Sequence, residues 1–151
     1  MHAARALPFL AIRDHLLADR SRQESALEQF LSAFEENGRE DVARSWTEVA
    51  SVVLAQLEGE ETNVLPALLS VSQRDARVMM GEHNHLRARM AELGTAIDLR
   101  AVRLESARDF VEELRAHGRS ENRLLLRWAE EHLDEEQWAS LFETLGPAGQ
   151  R

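Results

Sequence analysis

Cysteine, tyrosine and lysine are all missing from this chain, and proline occurs only three times in 151 residues. Without cysteine there are no disulfides, no thiolate metal sites and no thiol catalysis. Without lysine or tyrosine, Schiff-base chemistry on a lysine and a tyrosyl radical are also excluded. All eighteen cationic side chains are arginine, set against 27 acidic ones, and the formal charge is −9. That balance disfavours nucleic acid or an anionic membrane as partner. No apolar run approaches the roughly 20 residues that span a bilayer. The amino terminus lacks the apolar core and cleavage site of a signal peptide. A soluble, cytoplasmic protein is expected. No glycine-rich phosphate loop or nucleophile elbow is present.

What remains reads as helix throughout: one all-α domain over residues 1–151, with no linker or low-complexity segment. A first helix is expected from Pro8 to about Asn37, stopped by Gly38. A second is expected from about Asp41, a possible N-cap, to about Leu69, bent or ended by Pro66. A third would start at Ser72, where Ser-x-x-Asp to Asp75 resembles a capping box, and stop at Gly94. A fourth begins between Thr95 and Glu105 and ends near Leu133. A short fifth, Asp134 to about Leu145, would pack Trp138, Leu141 and Phe142. Four long helices with short connections predict an antiparallel up-down four-helix bundle with a short C-terminal fifth helix.

Polar residues interrupt the apolar stripes of these helices. His117 and Glu121 stand four apart, one turn on the same face, in a stripe with Phe110, Leu114, Leu124 or Leu125, and Trp128. On helix two, Gln56 or Leu57 and Glu60 fall among Val49, Val53, Val64 and Leu68, so Gln56 and Glu60 repeat that spacing. On helix three His83 lies among Met79, Leu86, Met90 and Leu93. On helix one His15 sits between Ile12 and Leu16, at the edge of an apolar face. A lone histidine on an apolar face is most often a core residue bonded to a backbone carbonyl. Three histidines and two glutamates on the inward faces of four helices instead favour a metal centre over a metal-free polar core, because buried carboxylates need neutralising partners. Facing helices of a bundle build metal sites in this way. His85, about 200° around the helix from His83, reads as outward, and His2 and His132 as surface residues. The charged runs around Glu35–Glu40 and Glu130–Glu136 read as solvated faces and caps.

These residues resemble the hemerythrin-like HHE cation-binding family over about residues 8–145. The motifs are Asp14-His15; Gln56-Leu57-Glu58-Gly59-Glu60-Glu61 followed by Pro66; Glu82-His83 with Leu86-Arg87; and His117 with Glu121-Asn122, Leu125 and Trp128-Ala129-Glu130. The resemblance implies a non-haem diiron centre in which His15, His83 and His117 are terminal ligands and Glu60 and Glu121 bridge the irons. Gln56 stands where the family has histidine. An amide oxygen is a weaker ligand than imidazole, so three outcomes are open: Gln56 binds weakly or through water, one metal position is weak and the site mononuclear or mixed, or the site is partly degenerate. Arg87, at His83 plus four, replaces the second helix-three histidine of oxygen-carrying hemerythrins, which argues against a simple reversible oxygen carrier.

The expected metal set is therefore His15, Gln56, Glu60, His83, His117 and Glu121, with iron as cofactor; the ligand types also admit manganese or zinc. The expected function is redox chemistry with dioxygen, peroxide or nitric oxide, with any catalysis belonging to the metal. A sensor or storage protein without turnover, and an interaction module with a decayed site, are the competing readings. Gly59, Gly81 and Gly118 fall inside predicted helices beside proposed ligands, where glycine costs about 1 kcal/mol relative to alanine. They leave space beside the metals for a ligand or channel, or else permit close helix packing.

Overall fold

The structure is a computed structural model that describes residues 20–35 and 38–132. His2, His15, the expected fifth helix and the side chains of Leu125, Trp128 and His132 lie outside the described residues. Everything regular in it is helical: α1 (20–35), α2 (Arg39–Asn63), α3 (Leu65–Val71), α4 (Gln73–Asp98) and α5 (Leu104–His132). No helix among the described residues is long and apolar enough to cross a membrane.

Local chemistry sets most of the boundaries. Gly38, in extended conformation, occupies the N-cap of α2, so Asp41 lies in the first turn, where its charge favours the helix N-terminus. Pro66 has no N–H to continue the ladder of α2 and instead sits in the first turn of α3. Ser72 caps α4 by accepting from the Asp75 N–H at 3.3 Å.

The expected stop at Gly94 is corrected by the structure: α4 continues one further turn, to Asp98. Burial of Ile97 in the core favours that extra turn. Gly94 serves packing, because a Cβ there would lie 3.3 Å from the Trp46 indole nitrogen. The chain turns at Arg100, the single non-glycine residue with positive φ (57°) among those described. Its N–H bonds Ile97 O at 3.0 Å and that of Ala101 bonds Ala96 O at 2.8 Å, the paired pattern of a Schellman stop.

Contacts between the long helices join early residues of one to late residues of the next. Phe30 meets Trp46 and Gln23 meets Gln56; His83 meets Glu121 while Arg89 meets Glu113; Arg20 meets Asn122 while Arg108 meets Glu35. The core along these helices is layered. One large apolar cluster includes Leu27, Phe30, Trp46, Val53, Leu93 and Phe110. Its aromatic rings pack edge-on or tilted, with Phe30–Trp46 centroids at 5.3 Å and Trp46–Phe110 at 5.5 Å. Val64, Leu68, Ala76 and Met79 are buried outside that cluster. Between the two groups in sequence, on α2 and α4, stand the buried Glu60 and His83; Gln23 and Glu121 are the other buried polar residues of the described chain.

Two stability outcomes follow. Phe110→Ala should destabilise the protein by about 3–5 kcal/mol in urea unfolding, without removing any polar side chain of the buried layer. Arg100→Gly should stabilise it by about 1 kcal/mol, because a left-handed residue other than glycine carries a steric cost of that order.

Candidate metal centre

Two consecutive residues of α2 grip both nitrogens of one imidazole from α4. Glu60 Oε2 lies 3.2 Å from His83 Nε2, and Glu61 Oε2 lies 2.8 Å from His83 Nδ1. They can do so because the fully buried His83 ring is inserted beside the C-terminal turns of α2. Glu61 is itself anchored by Arg87, one turn after His83, through a two-pronged pair at 2.6 and 2.8 Å. From α5, His117 and Glu121 complete the cluster: Glu121 Oε2 is 3.0 Å from His83 Nε2 and 2.8 Å from His117 Nε2. His117 Nδ1 bonds Glu82 at 2.8 Å, and the two imidazoles pack edge to face at 5.3 Å.

Both histidines thus have a carboxylate on Nδ1. A carboxylate accepts, so Nδ1 carries hydrogen and Nε2 is turned toward Glu60 and Glu121. Glu60, His83, His117 and Glu121 each offer one ligand atom, and these atoms all lie within 4.8 Å of one another. Glu60 Oε2 and His117 Nε2 are buried with no hydrogen-bond partner. Each lies close to a neighbouring group, at 3.2 and 2.8 Å, but without hydrogen-bond alignment. Buried polar atoms left in this way need an explanation. A cation held between two imidazole nitrogens and two carboxylate oxygens supplies one, and the donor set suits iron, manganese or zinc.

Of the residues proposed from sequence, Glu60, His83, His117 and Glu121 come together. Gln56 lies beside them, with its amide nitrogen 3.4 Å from Glu60 Oε1, and His15 lies outside the described residues. His85 is outward, paired with Glu113 at 3.0 Å. The roles of Glu61, Glu82 and Arg87 were not assigned from sequence, although one signal existed: each glutamate is next in sequence to a proposed ligand. Gln23 and Arg20 were missed altogether, and Asn122 was quoted only as part of a motif, because the bonds that join them to α2 and α5 are remote in sequence.

Of the three helix glycines, Gly118 is filled, since a Cβ there would coincide with the Arg20 guanidinium. Gly81 meets nothing and lines a groove of about 580 Å³ between α4 and α5, together with Glu82, Leu86 and His117.

Protons balance the buried charge in the metal-free protein. Burial and the neighbouring Glu121 raise the Glu60 pKa well above its ordinary value. Burial would also raise that of Glu121, but the close polar groups of Glu60, His117 and His83 outweigh it and hold the carboxyl far below the usual range. For His83, burial opposes charge; the carboxylates of Glu121, Glu60 and Glu61 around it overcome that and raise the pKa to about 10. His117 shifts upward in the same way, against burial, through Glu121 and Glu82. A histidine whose folded pKa exceeds its unfolded value stabilises the fold fully below the unfolded value and loses that contribution as pH rises through the folded one. The melting temperature of metal-free protein should therefore fall as pH rises from about 6.5 toward about 10. Over the same interval the increment on adding metal should grow, because the metal displaces those protons. Thermal melts across that pH range, with and without divalent metal, check both signs.

Searches of the curated proteins and of the solved structures return no significant match. A family model described as the hemerythrin HHE cation-binding domain matches residues 12–129, a span that includes the whole buried His/Glu cluster. The chain belongs to the hemerythrin HHE cation-binding domain family.

Proposed function

We propose that this chain is a hemerythrin-like non-haem iron protein, built as an up-down helical bundle, that engages dioxygen, peroxide or nitric oxide. The observation that carries the reading is the pair of imidazoles held at Nδ1 by Glu61 and Glu82, with Nε2 facing two buried carboxylates. His83, His117, Glu60 and Glu121 would hold the metal, and the opposite-running contacts between the long helices support the bundle. Bound iron supplies one-electron chemistry toward such small ligands.

The protein's own residues do the rest. Glu61 and Glu82 fix the imidazole orientation and raise the basicity of the nitrogens presented to the metal. Arg87 holds Glu61 in place against the pull of the histidine. Leu86 and Met79, both buried on either side of His83 along α4, help to keep bulk water from the ring. The groove beside Gly81 reaches His117 and offers a small molecule an approach to the edge of the cluster. With two carboxylates and two neutral imidazoles, a divalent ion leaves the buried layer with no net charge, which favours its retention.

Anaerobic Fe(II) loading followed by elemental analysis should show bound iron and a raised melting temperature. Exposure to air, peroxide or nitric oxide should then change the absorption spectrum. His83→Ala should remove the bound iron. Loaded wild-type protein without iron or thermal stabilisation would sink the metal reading. Bound iron whose spectrum none of the three ligands alters would sink the redox reading alone.

A further inference from the structure

Beside the cluster, but outside its four donors, a chain of side chains runs across three helices. Arg20 Nη1 donates to Gln23 Oε1 at 3.2 Å, Gln23 Nε2 to Gln56 Oε1 at 2.9 Å, and Gln56 Nε2 to Glu60 Oε1 at a longer 3.4 Å. The other arm of the guanidinium, Nη2, donates to Asn122 Oδ1 at 3.3 Å. The direction of this chain is fixed by its first member. An arginine only donates, so Gln23 must present its oxygen to Arg20 and its NH2 to Gln56. Gln56 must then present its own oxygen to Gln23, and its NH2 points at Glu60. The one atom through which Gln56 could ligate a metal accepts from Gln23, and the NH2 is the group it turns to Glu60.

Glu60 is thereby divided between two tasks. Oε1 receives the relay, while Oε2 is buried, free of hydrogen bonds and close to His83 Nε2. Gly118 makes the arrangement possible, because any larger residue would overlap the Arg20 guanidinium.

We infer that Arg20, Gln23 and Gln56 are a positioning relay that orients the Glu60 carboxylate, turning its Oε2 toward His83 and the metal site. This deepens the metal reading above and rests on it. Gln56 acts as a hydrogen-bond donor to a ligand. Arg20, seated over Gly118, orients the amides.

The test uses Fe(II), loaded anaerobically into the full chain, with metal counted per chain and affinity read by chelator competition. Wild type should bind Fe(II); no bound iron would remove the metal reading and this inference together. Gln56→Leu should still bind iron, with affinity about 10- to 100-fold lower, the range typical of residues that orient a ligand; unchanged affinity would overturn the inference while sparing the metal reading. Arg20→Met should lower affinity in the same direction, and Gly118→Ala, which evicts the guanidinium without touching a ligand, should mimic it. Arg20→Lys, which keeps a donor toward Gln23, should stay nearer wild type. The effect of Arg20→Met should vanish in the Gln56→Leu background, as coupled residues require. Additive effects, or an affinity that responds to residue 56 and not to residues 20 and 118, would show Gln56 acting independently of the relay and overturn it. Melting curves of the metal-free variants separate these outcomes from loss of fold.

Discussion

Two carboxylates buried in one layer of a helical core are the constraint that organises this protein. Glu60 and Glu121 are each about 5% exposed or less, and ionised carboxylates at that depth are strongly unfavourable unless neutralised. His83 and His117 supply the neutralising groups. The structure accommodates two ways of balancing the layer: protons on the imidazoles and on Glu60, or a cation among the four side chains. Those alternatives exclude one another, because the proton on each Nε2 occupies the place of the metal bond. Metal affinity, proton binding and fold stability are therefore one coupled quantity in this domain.

Neutralisation alone would permit many arrangements, and hydrogen-bond direction selects among them. Each imidazole is held from behind by an acceptor, Glu61 or Glu82, so each turns its other nitrogen inward. Glu60 is held from behind by a donor, Gln56, which engages its Oε1. Donors and acceptors at the rear thus dictate which lone pairs remain at the front. The two rear supports differ in how they are secured. Glu61 is fixed by Arg87 from one turn along α4, whereas Gln56 depends on a chain that begins on α1 and is tied to α5 through Asn122. The second support ties together three helices besides its own ligand, so the relative placement of α1, α2 and α5 enters directly into the orientation of Glu60.

Much of this was legible in the sequence because helical periodicity is local. The inward stripe Met79, His83, Leu86, Met90, Leu93 is buried throughout, and Glu60 is buried while its neighbour Glu58 is exposed. Capping at Ser72 was legible for the same reason: the serine and the Asp75 N–H that donates to it lie three residues apart. Gly94 misled because glycine has two structural uses, and a sequence does not say which applies. Here the small residue makes room for Trp46 from another helix, and burial of Ile97 carries α4 past it. Arg20 was invisible because its meaning lies in partners such as Asn122, 102 residues away. The spacing of Gln56 and Glu60 showed that an amide had replaced an imidazole, but only cross-helix bonds reveal which of its atoms is engaged.

Space beside a ligand shows the same dependence on partners. Gly118 and Gly81 both stand within two residues of a histidine of the cluster, yet the structure treats them in opposite ways. The volume beside Gly118 is taken by a guanidinium, which makes it part of the relay. The volume beside Gly81 stays open and joins the groove at Glu82 and His117. The cluster thus has a guanidinium and its amides at Gly118 and a groove beside Gly81 and His117. The glycine that looked like a second opening is instead the seat of the guanidinium.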